Sequence, residues 1–297
     1  MTGGRWELLR ALGAVAGDPA DARAACGALG LPAPDNAEHT EVFVLNCPPY
    51  AAVYLGADGA LGGEAADRVA GFWRAIGVAP PAEPDHLTAL LSLYASLGEA
   101  AAGAGPAAVA EALARARQAL FAEHLWTWLP AYLAAVSTFP ALAAWAGLTR
   151  RVLLAEQAAV PHGLAGRPPQ PLPLALRAAP PPLPADCPPG ELAGALTVPA
   201  RTGLILTRRS LAAGADEAGA GHRIGERRFA LRAMLEQEPA GTLRWLEAEA
   251  VRWTSRHAAT ALDGDGQPAR DAVADWWTRR ARHTEEVLRA AAGRVRA

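Results

Sequence analysis

The period of the apolar residues restricts the fold more than any other feature of this sequence. In the clearest stretch they recur three or four positions apart, as one face of an α-helix requires: Leu87, Leu90, Leu91, Tyr94 and Leu97. The same pattern predicts helices over residues 64–76, 106–124 and 141–159. Because short connections between such helices favour an antiparallel bundle, the sequence predicts an all-α fold.

A proline-rich segment interrupts the helical pattern after residue 160. Residues 161–199 hold several runs of two or three prolines and are predicted to form an extended linker. Beyond it, three amphipathic helices are predicted, over residues 224–237, 242–262 and 271–296. The sequence therefore predicts three parts, which are a helical domain over 1–160, a linker over 161–199 and a helical C-terminal extension over 200–297.

Two local details of the first domain can also be predicted. Residues 42–45 are apolar and two of them are Val, but Pro48 and Pro49 follow closely, so residues 41–54 are predicted to be an extended connection. Asp85 precedes the helix that contains Leu87, and Asp is a preferred residue at a helix N-terminus. Asp85 is therefore predicted to cap that helix.

Composition places the chain among folded proteins. Hydrophobic residues make up 51% and charged residues 20% of the 297 residues, so a sizeable core can form. The net charge of −2 gives no general attraction to nucleic acid, and no nucleic-acid partner is expected. Because no apolar stretch reaches about 18 residues without Gly, Pro or charge, no membrane span is expected.

Cysteine usage and the N-terminal residues indicate the cytoplasm. Cys26, Cys47 and Cys187 are odd in number and far apart, which argues against a disulfide framework and fits a reducing compartment. No apolar segment follows a basic start, so no export signal is expected.

The charge differs between the two halves of the chain. Residues 1–160 hold nine Arg and 15 acidic residues, and residues 161–297 hold 19 Arg and 15 acidic residues. An acidic first half would favour a cationic partner and a basic second half an anionic one. Ordinary solvated surfaces would carry the same charges, so both interpretations stay open.

Motifs of common enzyme classes are absent from the sequence. It contains no GxSxG, GxxxxGK[ST] or HExxH pattern. A di-iron site in a helical bundle needs two ExxH pairs, and only Glu83 and His86 show that spacing, with Pro84 between them. The sequence therefore predicts no catalytic residue, no metal and no cofactor, and a binding protein is favoured over an enzyme.

Four short segments together resemble the TorD/DmsD family of molybdoenzyme maturation chaperones. Residues 47–55 carry a Pro/Tyr-containing segment, and residues 71–77 an aromatic helix that ends in Gly. Residues 83–87 then read Glu-Pro-Asp-His-Leu, and residues 123–129 resemble the stretch with His, Leu and Trp that opens the next helix in that family. The order and spacing of the segments both match, and the resemblance covers about residues 1–160, with no such motif in residues 200–297.

The resemblance implies a system-specific chaperone in the cytoplasm with an all-α fold. Its partners would be the catalytic subunit of a molybdopterin oxidoreductase and the twin-arginine leader of that subunit, until the cofactor is inserted. Monomers and domain-swapped dimers are both expected forms. The peptide-binding residues that the resemblance implies are Tyr50, Tyr54, Trp73, Glu83, Pro84, Asp85, His86, His124 and Trp128.

The acidic candidates suit a leader that carries two arginines. Arg pairs bidentately with carboxylate, so Glu83 and Asp85 are candidate partners, and Glu64 and Asp67 add further acidic groups nearby in sequence. Asp85 could instead cap a helix, or do both. His86 could contact the peptide or act as a structural hydrogen-bonding group.

The aromatic candidates have structural alternatives as well. Trp73, Tyr50 and Tyr54 could belong to the core or to the wall of a groove. His124 and Trp128 lie where helices are predicted to meet, so packing is their default role. Two other functions stay open, which are a nitrate-reductase-type assembly factor for a subunit that is not exported, and an enzyme that uses the C-terminal region.

Overall fold

The computed structural model describes residues 3–159, 172–221, 225–260 and 272–296, which form helices joined by loops and contain no β-strand. The prediction of an all-α fold is therefore confirmed. In the first half of the chain the α-helices are α1 (Gly3–Ala14), α2 (Pro19–Leu29), α3 (Asn36–His39), α4 (Ala51–Leu55), α5 (Gly63–Ala75), α6 (Leu87–Gly103), α7 (Ala107–Ala119), α8 (Leu129–Val136) and α9 (Pro140–Ala158). In the second half they are α10 (Leu174–Arg177), α11 (Pro189–Leu196), α12 (Pro199–Thr202), α13 (Arg208–Ala218), α14 (Arg227–Gln237), α15 (Pro239–Thr260) and α16 (Ala272–Arg296). Two π-helical segments, Thr40–Asn46 and Leu120–Leu125, continue α3 and α7.

The chain divides into two compact units. The first unit comprises residues 1–52 and 61–177, and the second comprises residues 53–60 and 178–297. The division into a domain over 1–160, a linker over 161–199 and an extension over 200–297 stays a prediction. Residues 161–171 of that linker lie outside the described residues, and the remainder contains the short helices α10 and α11.

The first unit is built on the amphipathic helix α6. Its predicted apolar face is buried, and it packs against α1 and α7. Trp6 of α1 lies across α6 at Gly98, and its ring meets Tyr94 edge-on with centroids 6.4 Å apart. The α5 helix ends as predicted, because Gly77 adopts a φ of +78° and donates its N–H to the carbonyl oxygen of Arg74 at 3.0 Å.

We expect Gly98→Ala to lower the free energy of unfolding by about 1–3 kcal/mol, because overfilled cores are strained by that amount. A Cβ at this position would lie 2.5 Å from Cζ2 of Trp6, so the ring or the helix must shift. Gly103→Ala on the same helix is the matched control, since its Cβ would meet nothing within 4 Å. Urea denaturation of both variants measures the difference, and equal behaviour of the two would contradict this account of the packing.

The prediction of an extended connection over residues 41–54 is wrong. Residues 36–46 are helical, and α4 follows after the two prolines. The helix begins at a capping box, in which the Asp35 carboxylate accepts the N–H of Glu38 at 2.8 Å and the Glu38 carboxylate accepts the N–H of Asp35 at 2.9 Å. Phe43 is buried and packs edge-on against Trp145, with ring centroids 5.6 Å apart. Capping and packing therefore override the preference of Val42 and Val44 for extended backbone.

The three helices predicted near the C-terminus are confirmed as α14, α15 and α16, although residues 224, 261, 262 and 271 of the predicted ranges lie outside the described residues. Helices α15 and α16 pack along each other. The α13 helix is one that the apolar pattern does not predict. It begins at Thr207, whose hydroxyl accepts the N–H of Ser210 at 3.0 Å, while the Ser210 hydroxyl accepts the N–H of Thr207 at 2.9 Å.

A cluster of rings fills the core of the second unit. The imidazole of His257 lies 5.2 Å from the ring of Trp253 and 5.5 Å from that of Trp277, measured between centroids. Its Nε2–H donates to the carbonyl oxygen of Gly203 at 2.7 Å. Gly203 has a φ of +74°, and a Cβ there would lie 2.5 Å from the amide nitrogen of Ala281, so only glycine fits this close approach of α12 to α16.

Candidate peptide-binding site

Two segments of the first unit pair side by side and bring most of the candidate residues together. The N–H of Leu87 donates to the carbonyl oxygen of Pro49 at 2.8 Å, and the N–H of Ala51 donates to that of Asp85 at 3.1 Å. Tyr50 and His86 face each other in an isolated antiparallel bridge. Two backbone hydrogen bonds therefore pair residues 49–51 with residues 85–87.

The buried side chain of Asp85 adds a third hydrogen bond between the two segments. Its carboxylate accepts the N–H of Ala52 at 2.9 Å, at the beginning of α4. Burial raises the pKa of this carboxyl group, and the hydrogen bond from Ala52 opposes part of that effect. The carboxylate thus joins two segments that are far apart in sequence.

The prediction that Asp85 caps the following helix is wrong. The capping residue of α6 is His86, whose Nδ1 accepts the N–H of Thr88 at 3.2 Å. Asp85 lies one residue before this cap, and its carboxylate accepts the N–H of Ala52 instead. Burial lowers the pKa of His86, which favours the neutral imidazole that can accept this bond.

Glu83 is the exposed carboxylate of the cluster. Its Oε1 accepts the hydroxyl hydrogen of Tyr50 at 2.9 Å, and the ring of Tyr50 meets His86 edge-on with centroids 4.7 Å apart. Burial, and secondarily Glu83, raises the pKa of Tyr50 to about 12, so this hydroxyl stays a donor. Among the described residues, Oε2 of Glu83 has no partner, so it can accept a hydrogen bond from a ligand.

Trp73 supports the same loop from α5. Its Nε1–H donates to the carbonyl oxygen of Pro84 at 3.1 Å, and its ring is buried while Pro84 is half-buried. Trp73 therefore fixes the position of the loop that carries Glu83.

His124 and Trp128 form a second group, which contacts α5 through Phe72. The Nε1–H of Trp128 donates to the carbonyl oxygen of His124 at 2.8 Å, and the Trp128 side chain is fully buried. The half-buried ring of Phe72, the neighbour of Trp73, lies 5.0 Å from that of His124. Burial, with a smaller effect of Arg68, lowers the pKa of His124 to about 4.

Tyr54 differs from the other candidates in the unit to which it belongs. It is buried and belongs to the second unit, whereas the other eight candidates belong to the first. Its part in peptide binding stays a prediction.

Two contributors to this region were not predicted. Phe72 connects α5 to His124, and the Oε2 of Glu123 accepts the N–H of Leu174 at 2.6 Å. That bond joins the first residue of α10 to the π-helical segment, and Ala175 and Leu176 are buried behind it. The apolar run after Pro173 is the sequence signal that could have indicated a docked helix rather than an extended linker.

The part of the chain that the structure describes contains no group of three or more His, Cys, Asp or Glu side chains placed to hold a metal ion. Within the same part, no helix is both long enough and apolar enough to span a bilayer.

Comparison with known proteins gives one finding for this chain. Residues 35–134 match the family model described as the nitrate reductase delta subunit. The matched segment is less than half of the chain but contains all nine candidate residues, from Tyr50 to Trp128. No curated protein and no solved structure matches the chain.

Proposed function

Because residues 35–134 match the nitrate reductase delta subunit family, consistent with the redox enzyme maturation proteins, we propose that this chain binds a client subunit rather than catalysing a reaction. The family match supports a molybdoenzyme assembly chaperone in general. The finer proposal is that the chain binds the twin-arginine leader, the apo-form, or both, of the catalytic subunit of a molybdopterin oxidoreductase. It would do so in the cytoplasm while the cofactor is inserted.

The exposed carboxylate of Glu83 is the observation that carries the leader-binding proposal. Tyr50 occupies one oxygen and leaves the other available, so the carboxylate is held in place before a ligand arrives. A preorganised acceptor loses less side-chain entropy on binding, and a guanidinium group offers several donors in a planar arrangement. An Arg of the leader would therefore pair with Glu83 beside the rings of Tyr50 and His86.

Burial separates the candidate residues around Glu83 into those that can contact a peptide and those that support the loop. Glu83, Pro84 and His86 are exposed or half-buried and can touch a peptide. Asp85 and Trp73 are buried and bind the loop itself, so their proposed role is to maintain its shape.

We expect Glu83→Gln to weaken leader binding about tenfold, because a hydrogen bond to a charged group is replaced by a neutral one. Gln retains an oxygen that can accept the Tyr50 hydroxyl hydrogen, so the melting temperature should not change. Calorimetric titration with the twin-arginine leader of the nearest encoded molybdopterin oxidoreductase, and with a Lys-Lys version of that leader, measures the change in affinity, and a thermal melt measures the melting temperature. Glu111→Gln is the matched control, since Glu111 is exposed on α7 and pairs with Arg115 one turn away.

Unchanged affinity of Glu83→Gln for the leader would remove Glu83 from the site. Equal binding of the Lys-Lys leader would show that the planar guanidinium is not recognised, because Lys presents only a point charge.

A second candidate function is favoured by the family description itself. The matched family is described as the nitrate reductase delta subunit, and an assembly factor of the nitrate-reductase type would act on a subunit that is not exported and would need no leader. Binding to the whole apo-subunit, without binding to any leader peptide, would select this function over the first.

A further inference from the structure

Two arginines of the second unit lie where α12 packs against α16. Arg201 precedes Thr202, whose carbonyl oxygen accepts the hydroxyl hydrogen of Thr284 at 2.9 Å. Arg280 lies one turn before Thr284 on α16, and the approach of the two helices at Gly203 is too close for any side chain there. Burial chiefly, and then the charge of Arg201, lower the pKa of Arg280. Both arginines therefore lie where α12 and α16 are in contact.

Arg280 is only partly satisfied by the protein. Its guanidinium lies 4.8 Å from the ring centroid of Trp276, which holds one face of the group. Its Nη1 is buried and has no hydrogen-bond partner among the described residues. A buried charged donor without an acceptor is costly, because it has lost its water and gained nothing in exchange.

Several other arginines of this protein are paired with carboxylates. Arg5 and Arg117 share Glu156, while Arg252 and Arg256 share Glu249. No carboxylate within the described ranges forms an ion pair with either Arg201 or Arg280. The pair can therefore take its counter-charge from an anion bound from solution.

The groups that surround the pair leave it cationic. Cys187 is buried, and burial raises the pKa of its thiol, so it stays uncharged at neutral pH. Asp186 and Glu191 lie near Cys187 but are exposed. The imidazole Nε2 of His283, one turn along α16 from Arg280, is hydrogen-bonded to the carbonyl oxygen of Leu183 at 2.8 Å.

We propose that Arg201 and Arg280 bind a phosphate-bearing anion at the junction of α12 and α16. Phosphate carries between one and two negative charges at neutral pH and several acceptor oxygens, so one group can neutralise both guanidinium ions and occupy the buried Nη1. A single carboxylate would neutralise only one of them. This site lies in the second unit and is independent of the peptide-binding proposal.

The test uses the full chain and inorganic phosphate. Tryptophan fluorescence follows a phosphate titration at constant ionic strength maintained with sodium chloride, because Trp276 contacts Arg280 directly. We expect saturable binding to the unaltered chain and a loss of affinity of about tenfold in Arg280→Ala and in Arg201→Ala. Arg279→Ala is the matched control, since Arg279 is exposed beside Arg280 and should bind phosphate normally.

A phosphomonoester, glycerol phosphate, forms the second arm and distinguishes two sources of the group. Equal affinity for both anions supports free phosphate as the ligand, and tighter binding of the ester supports a phosphate carried on a larger molecule. Affinity that is unchanged in Arg201→Ala, or reduced as much in Arg279→Ala, overturns the site. Should Arg280→Ala not fold, Arg201→Ala alone decides, since Arg201 is not part of the ring packing around Trp276.

Discussion

Glu156→Ala is expected to lower the free energy of unfolding of the first unit by about 3 kcal/mol, the scale measured when one partner of a buried ion pair is removed. The Glu156 carboxylate is 4% exposed, and it accepts Nε–H of Arg5 at 2.6 Å and the hydroxyl hydrogen of Tyr94 at 2.6 Å. Arg117 lies 3.8 Å from it. The substitution would leave the buried Tyr94 hydroxyl without an acceptor and the half-buried Arg117 guanidinium without its ion-pair partner.

Glu99→Ala provides the comparison for this prediction. Glu99 forms the same type of pair with Arg10, but the pair is exposed to solvent, where ion pairs contribute little. Urea denaturation of both variants should show a clear loss for Glu156→Ala and little or none for Glu99→Ala. Losses of similar size would mean that burial is not what makes the Glu156 cluster important.

Acidification is expected to cost the second unit up to about 3 kcal/mol through His257 alone. Burial among the rings lowers the pKa of His257 from its ordinary value of 6.5 to about 4. Protons therefore bind the unfolded chain more tightly than the folded one. The stability that depends on neutral His257 is fully present above pH 6.5 and is lost as the pH falls towards 4.

The contribution of His257 can be separated from that of other groups by a variant. His124, whose pKa is also lowered to about 4, will add a loss of the same sign in the first unit. Chemical denaturation at pH 7 and at pH 4.5 should therefore be compared between the unaltered chain and His257→Gln. We expect the stability difference between them to shrink at the lower pH, and a difference independent of pH would exclude His257 as a titrating group.

The helices were predictable where one face of each is buried over several turns. The leucines of α6 illustrate this, because their spacing alone identifies the buried face. The helical structure of residues 36–46 was not predictable in this way, because the capping box at Asp35 and the contact of Phe43 with Trp145 determine it. The second of these joins residues about a hundred positions apart, and a local pattern carries no information on such a contact.

The candidate site was predictable in its membership but not in its division of roles. Glu83, Asp85 and His86 were chosen together, and the structure places them on one loop. Sequence alone offers both Glu83 and Asp85 as partners for an Arg of the leader. Only the partners separate them, because Asp85 is bonded to Ala52 inside the protein and Glu83 is bonded to Tyr50 at the surface. A substitution of Asp85 would therefore disturb folding and binding together, which makes Glu83 the residue to test.

The make-up of the second unit limits how this protein can be synthesised and dissected. Residues 53–60 belong to it although residues 61–177, which follow them, do not. The packing there is tight, since Gly59 has a φ of +66° and a Cβ on it would lie 2.9 Å from the carbonyl oxygen of Thr197. During translation, residues 53–60 leave the ribosome well before residues 178–297 are synthesised, so they cannot pack in their unit until the later residues have been made. A fragment that begins at residue 178 lacks part of its own unit, and the complementary fragment 1–177 carries residues 53–60 without the rest of the unit to which they belong.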